Sequence, residues 1–368
     1  MAAWRRASQC VAAAVHRGVA ATAGTTKRLA SSAAHEAAAA PIATHAVRLG
    51  ATLPNAAPLR SVAPVTEAAV GSVAELGSGG AQLLQLFASC KAVTVITGAG
   101  ISTSSGIPDY RSPGRPAYTP LQHADFMAKE AVRRRYWSRS FVGYPRMATA
   151  APNAAHAALA GLQAAGRVKT IVTQNVDRLH QASGATGVIE LHGTIHNVEC
   201  LTCGATSSRA QLQERMAVHN AQWVATYTPL ASPRPDGDVE LPAEAYGTFV
   251  MPTCPACGSD HLKPCVVFFG GNVPPAVTAA ATAAIDAADG LLVVGTTLAT
   301  WSAFRLVRRF VESVRPRLHP PTAPRLAVIN YGATRADAFA DACLPVHASA
   351  ALTALAAELR VPPLPFKH

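Results

Sequence analysis

Residues 92–97, Ala-Val-Thr-Val-Ile-Thr, run without a charge straight into Gly98-Ala99-Gly100. A short unbroken apolar run, rich in β-branched residues and stopped by glycine, reads as a strand covered on both faces. Such strands belong to parallel sheets flanked by helices. Segments 168–173 (VKTIVT), 290–295 (GLLVVG) and 325–330 (RLAVIN) read as further strands. Helices fit residues 123–142, 153–166, 274–288 and 301–314, with Asn153 as an N-cap. A short helix over 81–90 places Leu83, Leu84 and Phe87 on one side. Strands alternating with helices imply an α/β fold, a Rossmann-like doubly wound parallel sheet. Residues 196–262 break that rhythm and predict a smaller lobe, with a loop-like insert at 228–243.

In an open α/β sheet, ligands bind beyond the carboxyl ends of the strands. Gly98 and Gly100 remove Cβ atoms that would keep a pyrophosphate from backbone N–H groups. Gly-Ala-Gly alone could be only a tight turn. The continuation to residue 112 is a long polar loop holding Ser102, Asp109, Tyr110 and Arg111, a length that points to function. Three other strand ends carry small polar groups: Gln174-Asn175-Val176-Asp177, Gly295-Thr296-Thr297 and Asn330-Tyr331-Gly332. Helix capping would explain any one of them. Four together predict one shared cofactor crevice.

Eight cysteines are present, and Cys200, Cys203, Cys254 and Cys257 form two Cys-x-x-Cys pairs, each followed by glycine (Gly204, Gly258). Two such knuckles supply four thiolates for one tetrahedral zinc, and a closed four-sulfur shell is structural rather than catalytic. The 50 residues between the pairs exceed the usual ribbon spacing, which an insert explains. A redox pair is the alternative. The intervening segment lacks the basic–aromatic interleaving of a nucleic-acid module.

Hydrophobic residues make up 49% and charged residues 14%, which excludes a disordered chain, and no long apolar run predicts a membrane span. The net charge of +11 does not imply a nucleic-acid partner, because about half of it lies in residues 1–60, where seven basic residues face one acid. Arg133-Arg134-Arg135 is expected as a solvated helix face. Residues 1–35 hold no Asp or Glu and are rich in Ala, Ser and Arg, the composition of an organellar transit peptide. A mitochondrial matrix address is expected, with a plastid as the alternative. Residues 36–78 read as linker, 79–360 as the catalytic domain and 361–368 as a tail.

The motifs GAGIS, GIPDYRS, TQNVDRLH, ELHGTIHNVECLTCG, PTCPACGSDHLKPCVVFFGG, VVGTTL and VIN follow one another in this order. Together they resemble the sirtuin family over about residues 81–350, and its class II, mitochondrial sirtuin-4-like branch in particular. The resemblance implies an NAD-dependent protein-lysine deacylase releasing nicotinamide, deacylated lysine and O-acyl-ADP-ribose. It makes His192 the catalytic histidine and places Asn175 and Asp177 with it. Gly98, Ala99, Gly100, Ser102, Asp109, Tyr110, Arg111 and Tyr118 would wrap the NAD diphosphate and ribose. Gln174, Asn175, Val176 and Asp177 would line the nicotinamide–ribose pocket. Gly295, Thr296, Thr297, Asn330, Tyr331 and Gly332 would hold the adenosine half, with Cys343 against the adenine. Val266, Val267, Phe268 and Phe269 would line the acyl-lysine tunnel and pair with the peptide by strand addition.

The implied chemistry needs a base that strips a ribose hydroxyl of its proton, and a neutral imidazole titrating near ~6.5 suits that step. His156, His180 and His196 are expected to be structural. Cys265 stands where the family commonly has aspartate, Gly271 where an acid often follows, and Thr297 where serine is usual. No arginine follows Tyr118 at three residues, which disfavours acidic acyl groups. The partners implied are acylated lysines of proteins, with no nucleic acid; a monomer is expected. Mono-ADP-ribosyl transfer from the same pocket, or a non-catalytic NAD-binding scaffold, are the alternatives.

Overall fold

The computed structural model describes residues 71–110, 119–227, 234 and 236–364. The expected transit peptide, most of the linker, Arg111, Tyr118 and part of the insert lie outside the described residues. The strands are β1 (Val93–Thr97), β2 (Val168–Thr173), β3 (Ile189–Glu190), β4 (Gly193–Cys200), β5 (Thr206–Ser208), β6 (Leu262–Val266), β7 (Gly290–Val294), β8 (Leu326–Ile329) and β9 (Ala342–Leu344). Six of them form one sheet in the order β3-β2-β1-β7-β8-β9, parallel at every pairing. The chain builds outward from β1 on one side and from β7 on the other. The strand order therefore reverses between β1 and β7, and their carboxyl ends open the crevice of a doubly wound sheet.

All five residues of β1 and of β7 are buried. Alternate residues serve two separate cores, as the two-residue period of a strand requires. Val95, Ile171, Leu292, Val294 and Ile329 face one core, and Ile96, Val172, Leu291, Val293 and Val328 face the other. The helices are α1 (Gly77–Ser89), α2 (His123–Ala128), α3 (Glu130–Ala148), α4 (Ala154–Ala164), α5 (Leu179–Ala182), α6 (Arg209–His219), α7 (Ala221–Thr226), α8 (Ala245–Thr248), α9 (Pro275–Asp286), α10 (Trp301–Arg309) and α11 (Ala348–Glu358). The first core is covered by α1, α4 and α11 through Leu83, Phe87, Leu159, Leu162, Leu352 and Leu355. The second is covered by α9 and α10 through Ile285, Leu306 and Val307. Each large apolar side chain fully buried this way contributes about 1.5–3 kcal/mol.

Several expectations shift. α1 starts at Gly77 rather than near 81. The helix expected over 123–142 is two helices, because Lys129 is extended (φ −120°, ψ 118°), and the second runs on to Ala148. Past Arg309 the α10 backbone continues as a π turn, Phe310–Val314. The polar loop after Gly98 begins as a 3₁₀ helix, Ala99–Ser105. Asn153 holds that helix from outside: its side chain accepts the N–H groups of Ala155 and His156, capping α4, and donates to Ile101 O (2.8 Å) and Ser105 Oγ (3.0 Å).

The smaller sheet has the order β5-β4-β6 and is antiparallel. Its core gathers Val198, Leu212, Met216, Trp223, Phe249 and Leu262 with Trp137 and Phe141 of α3. The insert carries no helix or strand among its described residues, yet those residues are held against the lobe. Val239 and Leu241 are buried, and the Arg139 guanidinium grips Val239 O, Asp238 Oδ2 and Glu240 Oε2 at 2.7, 2.6 and 3.0 Å. Of the arginine triplet, Arg133 departs from the expected solvated face, while Arg134 is half-buried and Arg135 is exposed. Arg133 is buried and donates to the carbonyls of Phe126 and Met127, capping the C-terminus of α2. Arg134 pairs with Glu130, and Arg135 lies over the Tyr246 ring. Among the described residues no helix is long and apolar enough to cross a membrane.

Candidate active site and metal centre

The carboxyl ends of β1, β2 and β7 meet through backbone. Gly100 N–H donates to Gly295 O at 2.8 Å, and a Cβ on Gly100 would lie 2.8 Å from Gly295 Cα. Glycine at 100 is thus required by the close approach of two strand ends, a reason beyond room for a phosphate. Gln174 joins the three ends: its amide nitrogen donates to Thr97 O (3.2 Å) and Thr296 Oγ1 (3.0 Å), and its Oε1 accepts from Thr300 Oγ1 (3.1 Å). Thr296 Oγ1 also accepts the Leu298 N–H. Asn175 donates to Gly98 O (3.2 Å) and Ser102 Oγ (3.0 Å), and Ser102 donates to Asp177 Oδ2 (2.7 Å). The structure thus brings Gly98, Gly100, Ser102, Gln174, Asn175, Asp177, Gly295 and Thr296 into one bonded cluster. Burial pushes the Asp177 carboxyl up; the Leu179 N–H and the Ser102 hydroxyl oppose it.

Asn330 lies at the exit of β8, its amide bonded to Gly332 O (2.7 Å), and its N–H bonds the Leu344 carbonyl beside Cys343. Cys343 is exposed on β9. Asp109 and Tyr110 follow the 3₁₀ helix at its open end, while buried Ile107 packs with Tyr144, Val176 and Ile195.

His192 sits just past β3. Its Nδ1 lies 3.1 Å from Gln174 O and its Nε2 2.8 Å from Ser302 Oγ. Its carbonyl accepts the Val267 N–H at 2.9 Å. The next residue must be glycine: Gly193 has φ +77°, and a Cβ there would fall 2.0 Å from Cys265 O. Burial holds the His192 imidazole below its ordinary value, with the Gln174 carbonyl opposing, so it is neutral at pH 7. Of the residues expected along a substrate tunnel, Val266 and Val267 are half-buried. Phe268 packs against Phe126 (4.9 Å between centroids) and Tyr136 (5.3 Å), and Phe269 is 46% exposed. Gly271 rests against His123, where a Cβ would meet the imidazole Cγ at 3.3 Å; a larger side chain there would crowd it. Thr300 and Ser302, which carry no local motif, reach this cluster from the start of α10.

His156 and His180 are structural, as expected. They are 0% and 1% exposed, with ring centroids 4.9 Å apart, and His180 Nε2 lies 2.9 Å from Thr97 Oγ1. Burial lowers both, His180 to about 4. Once unfolded, these rings take up protons below their ordinary 6.5, whereas folded they do not. The unfolded state then binds more protons, so stability is full above about pH 6.5 and is lost as pH falls toward about 4. The slope approaches about 1.4 kcal/mol per pH unit for each ring. Urea melts at pH 7 and pH 5 should differ accordingly; equal midpoints would refute the burial argument.

The four expected zinc ligands converge, with all their sulfurs within 4.8 Å of one another. Cys200 Sγ lies 3.6 Å from Cys257 Sγ, and Cys203 Sγ 3.7 Å from Cys254 Sγ. A tetrahedron with Zn–S bonds of about 2.3 Å has edges of about 3.8 Å, so the thiolates fit that ion. The knuckles are built alike: Gly204 N–H returns to Cys200 O and Gly258 N–H to Cys254 O, each at 2.8 Å and each glycine at positive φ (73° and 72°).

Residues 98–302 match the Sir2 family. The chain belongs to the Sir2 family. Its Sir2 relatives include the NAD-dependent protein deacylase SIR4 of Monosiga brevicollis, 45% identical over 69% of this chain and 81% of that protein. The NAD-dependent protein deacylase Sirt4 of Drosophila melanogaster is 42% identical over 68% of this chain and 77% of its own length. The NAD-dependent protein deacetylase 3 of Pseudomonas syringae is 45% identical over 67% and 84%. A solved Sir2–p53 peptide–NAD⁺ structure superposes with a TM-score of 0.58 at 26% identity, covering 76% of this chain and 97% of that one. The Sir2 resemblance read from the motifs therefore holds, and with it the doubly wound fold.

Proposed function

We propose that the chain is an NAD-dependent protein-lysine deacylase that releases nicotinamide, deacylated lysine and O-acyl-ADP-ribose. The relatives' activities and the NAD-bound Sir2 neighbour support this reading. The observation that carries it is the imidazole of His192, neutral, fixed by Gln174 and set beside the joined ends of β1, β2 and β7. NAD⁺ is consumed as co-substrate: the acyl amide oxygen displaces nicotinamide at C1′, a ribose hydroxyl then attacks the amide carbon, and one water completes release of the lysine amine and the O-acyl ester.

His192 Nε2 accepts the proton of that hydroxyl. Asn175 and Asp177, with Ser102, position the nicotinamide–ribose half, and Gly98, Ala99, Gly100, Asp109 and Tyr110 enclose the diphosphate. Gln174 and Val176 back the pocket. Gly295, Thr296, Thr297, Asn330, Tyr331 and Gly332 hold the adenosine half, with Cys343 at its edge. Val266, Val267, Phe268 and Phe269 form the acyl-lysine side. Cys200, Cys203, Cys254 and Cys257 hold one structural zinc. The catalytic domain spans 79–360 with the zinc lobe at about 196–262. The acid-free, arginine-bearing residues 1–35 direct the chain to the mitochondrial matrix.

Full-length protein, NAD⁺ and peptides bearing acetyl-, lipoyl-, biotinyl- or branched short-chain acyl-lysine, followed by mass spectrometry, test the reading. Nicotinamide and O-acyl-ADP-ribose should appear in equal amounts with at least one acyl group. ADP-ribose on protein with no O-acyl product would replace deacylation by mono-ADP-ribosyl transfer. No nicotinamide with any peptide would overturn the reading.

A further inference from the structure

His192 faces a carbonyl oxygen on one side and a hydroxyl on the other. A carbonyl only accepts, so Nδ1 carries the proton and bonds Gln174 O. The neutral ring then bears its lone pair on Nε2, and the Ser302 hydroxyl at 2.8 Å is the donor to it. That lone pair is the atom required to take the ribose proton, and it accepts one donor at a time. We propose that Ser302 is a positioning residue for His192: its hydroxyl holds the Nε2 lone pair until the ribose hydroxyl takes its place. This rests on His192 being the base.

The surrounding geometry leaves Ser302 as the movable member. The imidazole is anchored through Gln174 O, and the His192 backbone through Val267 N–H. Thr300, two residues before Ser302, bonds the Gln174 side chain, so the start of α10 sets both contacts of the ring. The charged and titratable groups on neighbouring elements are engaged elsewhere: Asp177 with Ser102 and Leu179, His196 with Asp177 O, Glu190 with Arg178. Ser302 needs only a turn about χ1 to leave, and no proton is transferred in the exchange.

A donor on Nε2 stabilises the neutral ring, so removing it raises the proton affinity of His192. One hydrogen bond of about 0.5–1.5 kcal/mol corresponds to roughly half to one pH unit. In Ser302→Ala the acid limb of kcat/KM for NAD⁺ should move up by that amount, a loss of about three- to tenfold below the limb. The limb of kcat should stay, because the ribose occupies Nε2 in the complex. Ser302→Thr, which keeps the hydroxyl, should restore the profile. Imidazole ¹⁵N spectra of the full chain, with the His192 signal assigned by its loss in His192→Ala, should show the Nδ1–H tautomer and the same upward shift in Ser302→Ala. An equal loss of kcat at every pH, or an unmoved ¹⁵N titration, would overturn the proposal. The ¹⁵N readout needs no turnover, so a failure here is distinct from a failure to find deacylation.

Discussion

His192→Ala should lower deacylation by about 10²–10⁴-fold while leaving nicotinamide release from NAD⁺ and acyl-peptide within about an order of magnitude. The two reactions separate because the base acts after the nicotinamide bond has broken. His192 also holds structure, since its ring satisfies Gln174 O and Ser302 Oγ. Leaving a part-buried acceptor unpaired costs about 1–3 kcal/mol, so a modest fall in melting temperature accompanies the kinetic loss. That fall cannot by itself produce the predicted split. Rapid-quench measurement of both products from one reaction checks it. A parallel loss of nicotinamide release would place His192 in binding or in the first bond cleavage, and the assignment of a base would fail.

What could be read from the residues follows how locally each feature is determined. β2 is bounded to the residue because apolar and β-branched residues, interrupted only at exposed Lys169, run from Val168 to Thr173 and stop at Gln174. Asn153 as a cap and the two cysteine knuckles are also short-range features, fixed by chemistry within a few residues. β9 and α11 went unseen: β9 has three residues, and α11 (ASAALTALAAE) is rich in alanine, so its apolar face has no contrasting face to define a period. The three-residue strand β5 of the small sheet is likewise too short to signal itself. Arg133 looked solvated because its partners, the last carbonyls of α2, exist only if the chain breaks at Lys129. Ser302 was invisible for a stronger reason: its partner is 110 residues away, and nothing near 302 encodes the meeting. The motif residues of the crevice were legible as a set, but the bonds that lock Gln174 to three strand ends were not.

Cys254→Ser should abolish tight zinc binding and unfold the small lobe while the parallel sheet remains. Structural zinc contributes about 10–16 kcal/mol of apparent binding energy in isolated zinc-finger peptides, as much as a whole domain's stability. The lobe has an aromatic core of its own, so part of that loss is absorbed locally. The knuckles, however, clamp one end of its sheet: Cys200 is the last residue of β4 and pairs with Leu262 at the start of β6, which follows the second knuckle. Without the ion, four thiolates within 4.8 Å repel one another or must take up protons. The damage should reach the crevice, because the strand leaving β6 supplies the Val267 N–H to His192 O, and Cys265 O packs on Gly193. Among the described tryptophans, emission reports on the lobe: Trp137 and Trp223 are 0% and 6% exposed in its core, whereas Trp301 is already 57% exposed. A red shift of the emission, loss of stoichiometric zinc by elemental analysis and at least a tenfold fall in turnover should therefore appear together. If zinc is lost while emission and turnover stay at wild-type levels, the ion does not hold the lobe, and the link from the knuckles to His192 is broken.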